Sequence, residues 1–432
     1  MKHKTGILWF RNDLRIHDNE ALQAASTTCE TLIPVYIFDE RQFGETHFGF
    51  PKTGEYRQRF LMESVENLHQ NLEKLQSGLY IEYGTPEEII PKLAKTFDAT
   101  VVFAHEEITQ EETDVEDALT KRLEELEVRF ETFWGSTLYH ADDIPFEFDQ
   151  VPDVFTAFRK KVEKYASIRQ EIPSPISMPP LPVDLGKVGV IPLEKLPKIE
   201  KKQSEKAAIQ FEGGEDAALE HMQTYFWEND QLKVYKETRN GLLGADYSSK
   251  FSAWLANGCI SPRRVYFEIK RYEAERVAND STYWLIFELI WRDYFKFIFC
   301  KYEHKLFQVH GIHPEKLDWK QDWKKFNRWA KGVTGLDFVD ANMRELNETG
   351  FMSNRGRQNV ASYFAKQLNV DWRMGAEYFE SLLIDYDPCS NYGNWAYVSG
   401  VGNDPRDRMF NVQGQTERYD PNGDYRRYWL EK

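Results

Sequence analysis

Over the first 134 residues, short apolar runs alternate with stretches whose apolar positions recur at helical spacing. The runs at 6–11, 32–39, 79–84, 100–106 and 129–134 are β-rich and predict five strands. Helical periodicity fills 57–76, 85–96 and 111–126 between them. Strands separated by helices predict a doubly wound, parallel five-stranded α/β sheet, a fold that binds ligands at the carboxyl ends of its strands. No GxGxxG or GxxxxGK[ST] follows any strand, so an ordinary dinucleotide or P-loop site is not expected.

The pattern changes after residue 134. Residues 172–182 (IPSPISMPPLP) are proline-dense and 195–206 are polar and lysine-rich, so 135–215 reads as a long interdomain linker. From 216 to 432 strand signals vanish and an all-α domain is predicted. Its expected helices are 215–227, 248–257, 262–275, 282–302, 337–348 and 354–368. Residues 385–432, rich in Gly, Asn, Tyr and Asp, read as functional loops.

A length of 432 residues fits two domains, and the hydrophobic and charged fractions, 41% and 29%, are those of a folded chain. No run approaches the roughly 18 apolar residues of a membrane helix. The basic start is not read as a signal peptide, because charge resumes at Arg11. The 4 cysteines (Cys29, Cys259, Cys300, Cys389) form no CxxC, so neither zinc nor a disulfide framework is expected and a reduced cytoplasm fits. The net charge of -15 argues at first against nucleic acid. Its distribution reverses that inference. Residues 1–150 carry 14 basic and 30 acidic side chains, whereas 233–373 carry 24 and 17. This basic block is interleaved with Trp284, Trp291, Tyr294, Trp319, Trp323 and Trp329, the composition of a single-strand binding surface or of an aromatic core with a basic rim.

Several clusters carry candidate chemistry. In WLIFELIWRDYFKFIF, residues 284–299, a helix places Trp284, Glu288, Trp291 and Arg292 on one face. A Glu288–Arg292 pair at i, i+4 is the plain reading. The apolar surroundings favour a cleft-lining carboxyl with a raised pKa. Asn354, Arg357 and Gln358 share another helical face, with Arg355 at its edge, and suit an anionic or heterocyclic ligand or an ordinary polar helix start. GADYSSKFS, 244–252, suits a phosphate cradle or simple capping. Asp385, Asp387 and Asn391 at DxDxxxN spacing suit a hard metal or a polar organic cofactor, without the Gly and Glu of an EF-hand. His310 and His313 lack a companion ligand, and no metal site is expected.

Taken together, WFRNDLRIHDN (9–19), YKETRNGLLGADYSSKFSAWLANGCISPR (235–263), ELIWRDYF (288–295), VDANMRELNETGFMSNRGRQNVAS (339–362), DWRMGAEYFESLLIDYDPCSNYGNWAY (371–397) and the ending YDPNGDYRRYWL resemble the photolyase/cryptochrome family. Within it they resemble the DASH-type cryptochromes that repair cyclobutane pyrimidine dimers in single-stranded DNA. The resemblance implies a folded-up FAD held by Tyr235, Ser248, Ser249, Lys250, Phe251 and Ser252, with Arg292, Asn354, Arg357, Asp385 and Asp387 around it and Asn391 facing flavin N5. It implies that Arg239, Glu288, Trp291, Asn354, Arg355, Gln358 and Tyr397 receive DNA and a flipped-out dimer. Trp395, Trp372 and Trp319 match the family's electron-passing tryptophan chain, and Glu288, Asn391 and these three are the expected catalytic residues.

Gln358 stands where (6-4) photolyases typically carry histidine, and Tyr397 where classical dimer photolyases carry tryptophan, as in the DASH group. A folate-type antenna (methenyltetrahydrofolate) is a further expectation, with Glu107 as its one candidate contact. The implied activity is blue-light-driven dimer repair by electron transfer from excited reduced flavin, in a monomer that is cytoplasmic, or nucleoid-associated in a bacterium. The alternative is a blue-light photoreceptor that binds nucleic acid without repair. The chain ends at Lys432 without a long tail, which weighs against that alternative. A dark flavin oxidoreductase ranks below both, because it would need a nicotinamide site.

Overall fold

The computed structural model describes residues 3–313, 317–404, 406 and 409–431. Five strands, β1 (His3–Phe10), β2 (Cys29–Asp39), β3 (Tyr80–Gly84), β4 (Val101–His105) and β5 (Arg129–Phe133), pair in parallel in the order β3-β2-β1-β4-β5. Four helices connect them: α1 (Glu20–Thr28), α2 (Glu55–Lys74), α3 (Pro86–Thr96) and α4 (Gln110–Glu124). All five predicted strands form, with ends shifted by a few residues. Helix α1 was not predicted; Asn19 caps it, accepting from Leu22 N–H at 3.0 Å.

Successive residues of a strand point to opposite faces, and the two faces feed different cores. Leu8 and Phe10 join α1 and α2 in a core that continues through the helical domain. Ile7 and Trp9 pack with Val102, Ala104 and residues of α3 and α4 in a smaller, separate core. The sheet is therefore covered on both sides, which explains why its strands read as continuous apolar runs.

The linker is not irregular throughout. It contains α5 (Phe155–Tyr165), whose Phe155, Phe158 and Val162 are buried. Farther on, Ile81 N–H donates to Lys187 O at 3.1 Å and Gly189 N–H to Leu79 O at 2.8 Å, so the linker returns along the exposed edge of β3. From residue 215 onward the fold is helical, organised around the 23-residue helix Asp280–Tyr302, which starts with a capping box at Asn279.

Three expectations are corrected. Residues 385–432 are not mainly loops, since Pro388–Ser399, Val412–Tyr419 and Asp424–Leu430 are helices. Asp387 caps the first of these ahead of Pro388, and Gly400 ends it at φ 77°, so capping chemistry outweighs weak helix propensity. The helices expected at 215–227 and 354–368 stop at Gln223 and Ser362, and each continues as a wider π turn of nearly the same hydrophobic period. The helix expected from 248 starts only at Ser252, because Lys250 adopts φ 52° and breaks the helical path. No helix among the described residues is long and apolar enough to cross a membrane.

Candidate functional site

A cavity of about 550 Å³ opens between the Asp280–Tyr302 helix, the 235–256 segment and the helices beginning at Asn354 and Pro388. Its lining includes Tyr235, Arg239, Ser248 to Ser252, Glu288, Trp291 and Arg292 from one side. Asn354, Arg355, Arg357, Gln358, Asp385, Asp387 and Tyr397 line it from the other. Stretches more than a hundred residues apart in sequence thus meet at one surface. Asn391 and Trp395 line a narrower compartment that shares Asn354, Arg357, Gln358, Asp385 and Asp387 with the larger one.

The 244–252 loop presents three hydroxyls, on Ser248, Ser249 and Ser252, to the cavity. Its lysine is turned back on the loop. Lys250 Nζ donates to the carbonyls of Ala245 and Ser248 and lies 3.7 Å from the Tyr247 ring centroid. Burial lowers its pKa to about 7. Two of its three donors therefore hold the loop in shape, and the Ser248, Ser249 and Ser252 hydroxyls, rather than the lysine, form the polar lining of the cradle.

Opposite, Ser353 caps the Asn354–Ser362 helix by accepting from Gly356 N–H at 3.0 Å. Arg357 donates from one nitrogen, Nη2, to both oxygens of Asp385, at 3.0 and 2.9 Å. Asp387 accepts from Ser390 N–H at 2.7 Å and pairs with Lys296 at 3.2 Å. Burial pushes this carboxyl up, but the charges of Lys296 and Arg292 and the Ser390 amide outweigh it and hold it at about 2. The DxDxxxN carboxylates are each tied to a different cation, and Asn391 donates to Ala376 O at 3.0 Å. Among the described residues, no group of three or more His, Cys, Asp or Glu could hold a metal ion.

The plain reading of the 284–299 helix is corrected here. Glu288 pairs across the cavity mouth with Arg239 rather than with Arg292. Arg292 instead donates to the carbonyls of Ser136 and Leu255, the latter at 3.1 Å, tying the central helix to the start of the linker and to the 235–256 segment. Trp291 stacks on Phe155 of α5 at 3.6 Å and 9°, and meets Tyr397 edge-on at 6.1 Å. Arg355 lies over Tyr419 at 4.6 Å and donates to Gln358 Oε1 at 2.8 Å and Asn240 Oδ1 at 2.9 Å. Sequence reasoning missed Phe155, which lies in the linker outside any motif, and gave no role to Asn240 and Tyr419, which stand inside the 235–263 and C-terminal motifs.

Trp395 is buried at the end of the narrow compartment. Gly375 lets its ring lie against the Trp372–Leu382 helix, where an added Cβ would come within 2.3 Å of it. Trp372 is fully buried, its Nε1 donating to Val309 O at 3.0 Å. Trp319 is half-buried beside Lys320, whose carbonyl accepts from Asp371 N–H at 2.8 Å, so it sits next to the start of that helix. Glu107 is elsewhere. It accepts from Asn12 at 2.9 Å in a smaller cavity of about 100 Å³ between the domains, which shares Ala256, Arg292 and Asp387 with the larger one.

Residues 6–179 match the family model described as DNA photolyase, and residues 284–432 match the FAD binding domain of DNA photolyase. A cryptochrome DASH of Synechocystis sp. is 52% identical over 434 residues, covering 100% of this chain and 88% of that protein. The crystal structure of Synechocystis sp. PCC6803 cryptochrome superposes with a TM-score of 0.96 at 52% identity, over 100% of this chain and 89% of that one. A bacterial class III photolyase from Agrobacterium tumefaciens superposes with a TM-score of 0.86 at 29% identity, over 100% of this chain and 87% of that one.

Proposed function

Because this chain belongs to the photolyase/cryptochrome family, with cryptochrome DASH proteins about half identical to it over its full length, we propose that it is a blue-light-driven, FAD-dependent enzyme that repairs cyclobutane pyrimidine dimers in single-stranded DNA. The observation that carries this reading is the single cavity, which unites the residues suited to a cofactor with those suited to a damaged base. Its volume of about 550 Å³ falls in the range of cofactor sites, roughly 300–1,000 Å³.

The residues present fit FAD. Hydroxyls of Ser248, Ser249 and Ser252 suit its phosphates, and the Arg357–Asp385 pair with Asn354 and Asn391 suits the polar edge of its ring system. Bound FAD would supply the light absorption and the single-electron chemistry. The protein's own part is binding and orientation. Trp291 and Tyr397 form an apolar wall for an unstacked pyrimidine dimer, with Phe155 fixing the Trp291 plane from behind. Glu288 and Gln358 offer hydrogen bonds to base edges. Arg239 and Arg355 at the mouth suit the flanking phosphates. Extrusion of the lesion is cheapest from a single strand, where no partner base or second stack opposes it. Glu107 and the interdomain cavity remain the proposed place for a folate-type antenna.

The test uses purified flavin-loaded protein in the reduced state, a single-stranded oligonucleotide with one thymine dimer, and blue light. Dimers are expected to disappear with illumination and to persist in the dark. Unchanged dimer content in the light would overturn the repair reading in favour of a photoreceptor.

A further inference from the structure

Asp387 lines the large cavity, the narrow compartment beside it and the interdomain cavity, so it stands in the partition between the proposed flavin site and the α/β domain. Its cation comes from behind that partition. Lys296, one turn after Arg292 on the central helix, is buried and lines the interdomain cavity but neither of the other two. Its Nζ lies 3.2 Å from Asp387 Oδ2, and both side chains are almost fully buried. The neighbouring carboxylate is balanced differently, because Arg357, the partner of Asp385, itself lines the flavin cavities. Sequence spacing marked Asp387 but gave no sign of Lys296.

From this placement we propose that Lys296 is a positioning residue for the flavin site, which balances the charge of Asp387 from behind the cavity wall and so sets how readily a bound flavin takes up an electron. The proposal rests on the flavin-site reading given above. An added electron is negative charge, and a lone carboxylate in a wall of low dielectric opposes it, whereas a pair without net charge does not. The pair also keeps Asp387 ionised, as a full acceptor for N–H groups on the polar edge of the ring. Each partner depends on the other, since a buried charge left alone is costly and tends to neutralise by moving its proton. The other groups around the pair are Arg292 on the central helix, Glu107 and Glu112 of the α/β domain, and the Cys389 thiol and Ser390 amide on the helix that Asp387 caps. Without Lys296, Arg292 and the Ser390 amide still favour the ionised carboxyl while burial opposes it, so Asp387 becomes a titrating group. Without Asp387, burial and Arg292 both disfavour the ammonium, so Lys296 becomes one.

The experiment compares wild type, Lys296→Met, Asp387→Asn, the double variant and Lys296→Arg, each loaded with FAD. Flavin affinity and the flavin midpoint potential, the latter by dye-equilibrated titration, are measured across about pH 5–8, the range in which a displaced carboxyl or ammonium titrates. Asparagine caps a helix as well as aspartate does, so Asp387→Asn keeps the cap. The potential of Lys296→Met is expected to drop below wild type as pH rises and Asp387 ionises. That of Asp387→Asn is expected to climb above wild type as pH falls and Lys296 takes a proton. Each shift is expected to change the oxidised-to-reduced ratio at a fixed potential on the order of tenfold, the effect of one nearby charge. The double variant and Lys296→Arg are expected to follow wild type at every pH. If Lys296→Met follows wild type while Asp387→Asn departs from it, or if it weakens flavin binding with the potential unmoved, Lys296 does not set the charge and the proposal fails. Should Lys296→Met not fold, the double variant decides, and a potential equal to that of Asp387→Asn overturns the proposal. If Asp387→Asn moves neither affinity nor potential, the flavin-site assignment of Asp387 fails and the proposal fails with it.

Discussion

Glu345 is a carboxyl with no solvent, 2% exposed, accepting from the Tyr425 hydroxyl at 2.6 Å. Burial raises its pKa from 4.5 to about 8, against the opposing pull of Tyr425, Lys250 and Arg357. The folded state therefore holds a proton that the unfolded chain releases. Its contribution to stability is complete below pH 4.5 and is lost as pH rises through 8. Glu345→Gln, which keeps the shape and the acceptor oxygen, is expected to flatten the fall in melting temperature over that interval. Thermal melts at several pH values measure it, and an unchanged slope would place the titration elsewhere. Single residues were unevenly legible in the sequence. Glu288 was marked by its apolar surroundings, yet its partner, Arg239, comes from a segment about fifty residues away. Helical spacing offered Arg292, and only packing could prefer the other cation. Lys250 was legible as a cradle lysine, but the inward turn of its amine depends on the positive φ at that position.

Among the elements, α5 shows most clearly how packing gives a segment its role. Its sequence lies in a stretch whose proline and lysine content reads as a linker, and its apolar residues are too few to stand out. In the structure Phe155 backs Trp291 face to face and touches Tyr294 at 5.6 Å, so α5 is part of the wall behind the cavity. Phe155→Ala is expected to destabilise the protein by about 3 kcal/mol, the usual cost of removing a buried phenyl ring. It is also expected to weaken binding of dimer-containing strands, because Trp291 loses the surface that fixes its plane. Denaturant melts and an affinity titration measure the two effects. The helices after residue 385 were hidden for a related reason. Gly, Asn and Tyr lower intrinsic propensity, while the decisive signals, Asp387 before Pro388 and Gly400 at the end, act at single positions that a periodicity search averages away.

Across the whole molecule, the charge asymmetry becomes an orientation. The acidic excess lies in the α/β domain, and the basic block from 233 to 373 supplies Arg239 and Arg355 at the cavity mouth. Affinity for a single-stranded oligonucleotide is therefore expected to fall linearly in log–log form with added salt, by a slope of about -0.7 for each phosphate contacted. Fluorescence anisotropy across a salt series measures it. Arg239→Ala and Arg355→Ala are each expected to shallow the slope, and a salt-independent affinity would move the binding face elsewhere. The sequence by itself determined the α/β sheet, the helical second domain and the family. These rest on local periodicity and on contiguous motifs, which are properties of neighbouring residues. Tertiary structure alone decided which cation meets Glu288, what stands behind Trp291 and which rings pack against Trp395. Those contacts join residues far apart in the chain, and only the close packing of a folded core brings them within reach.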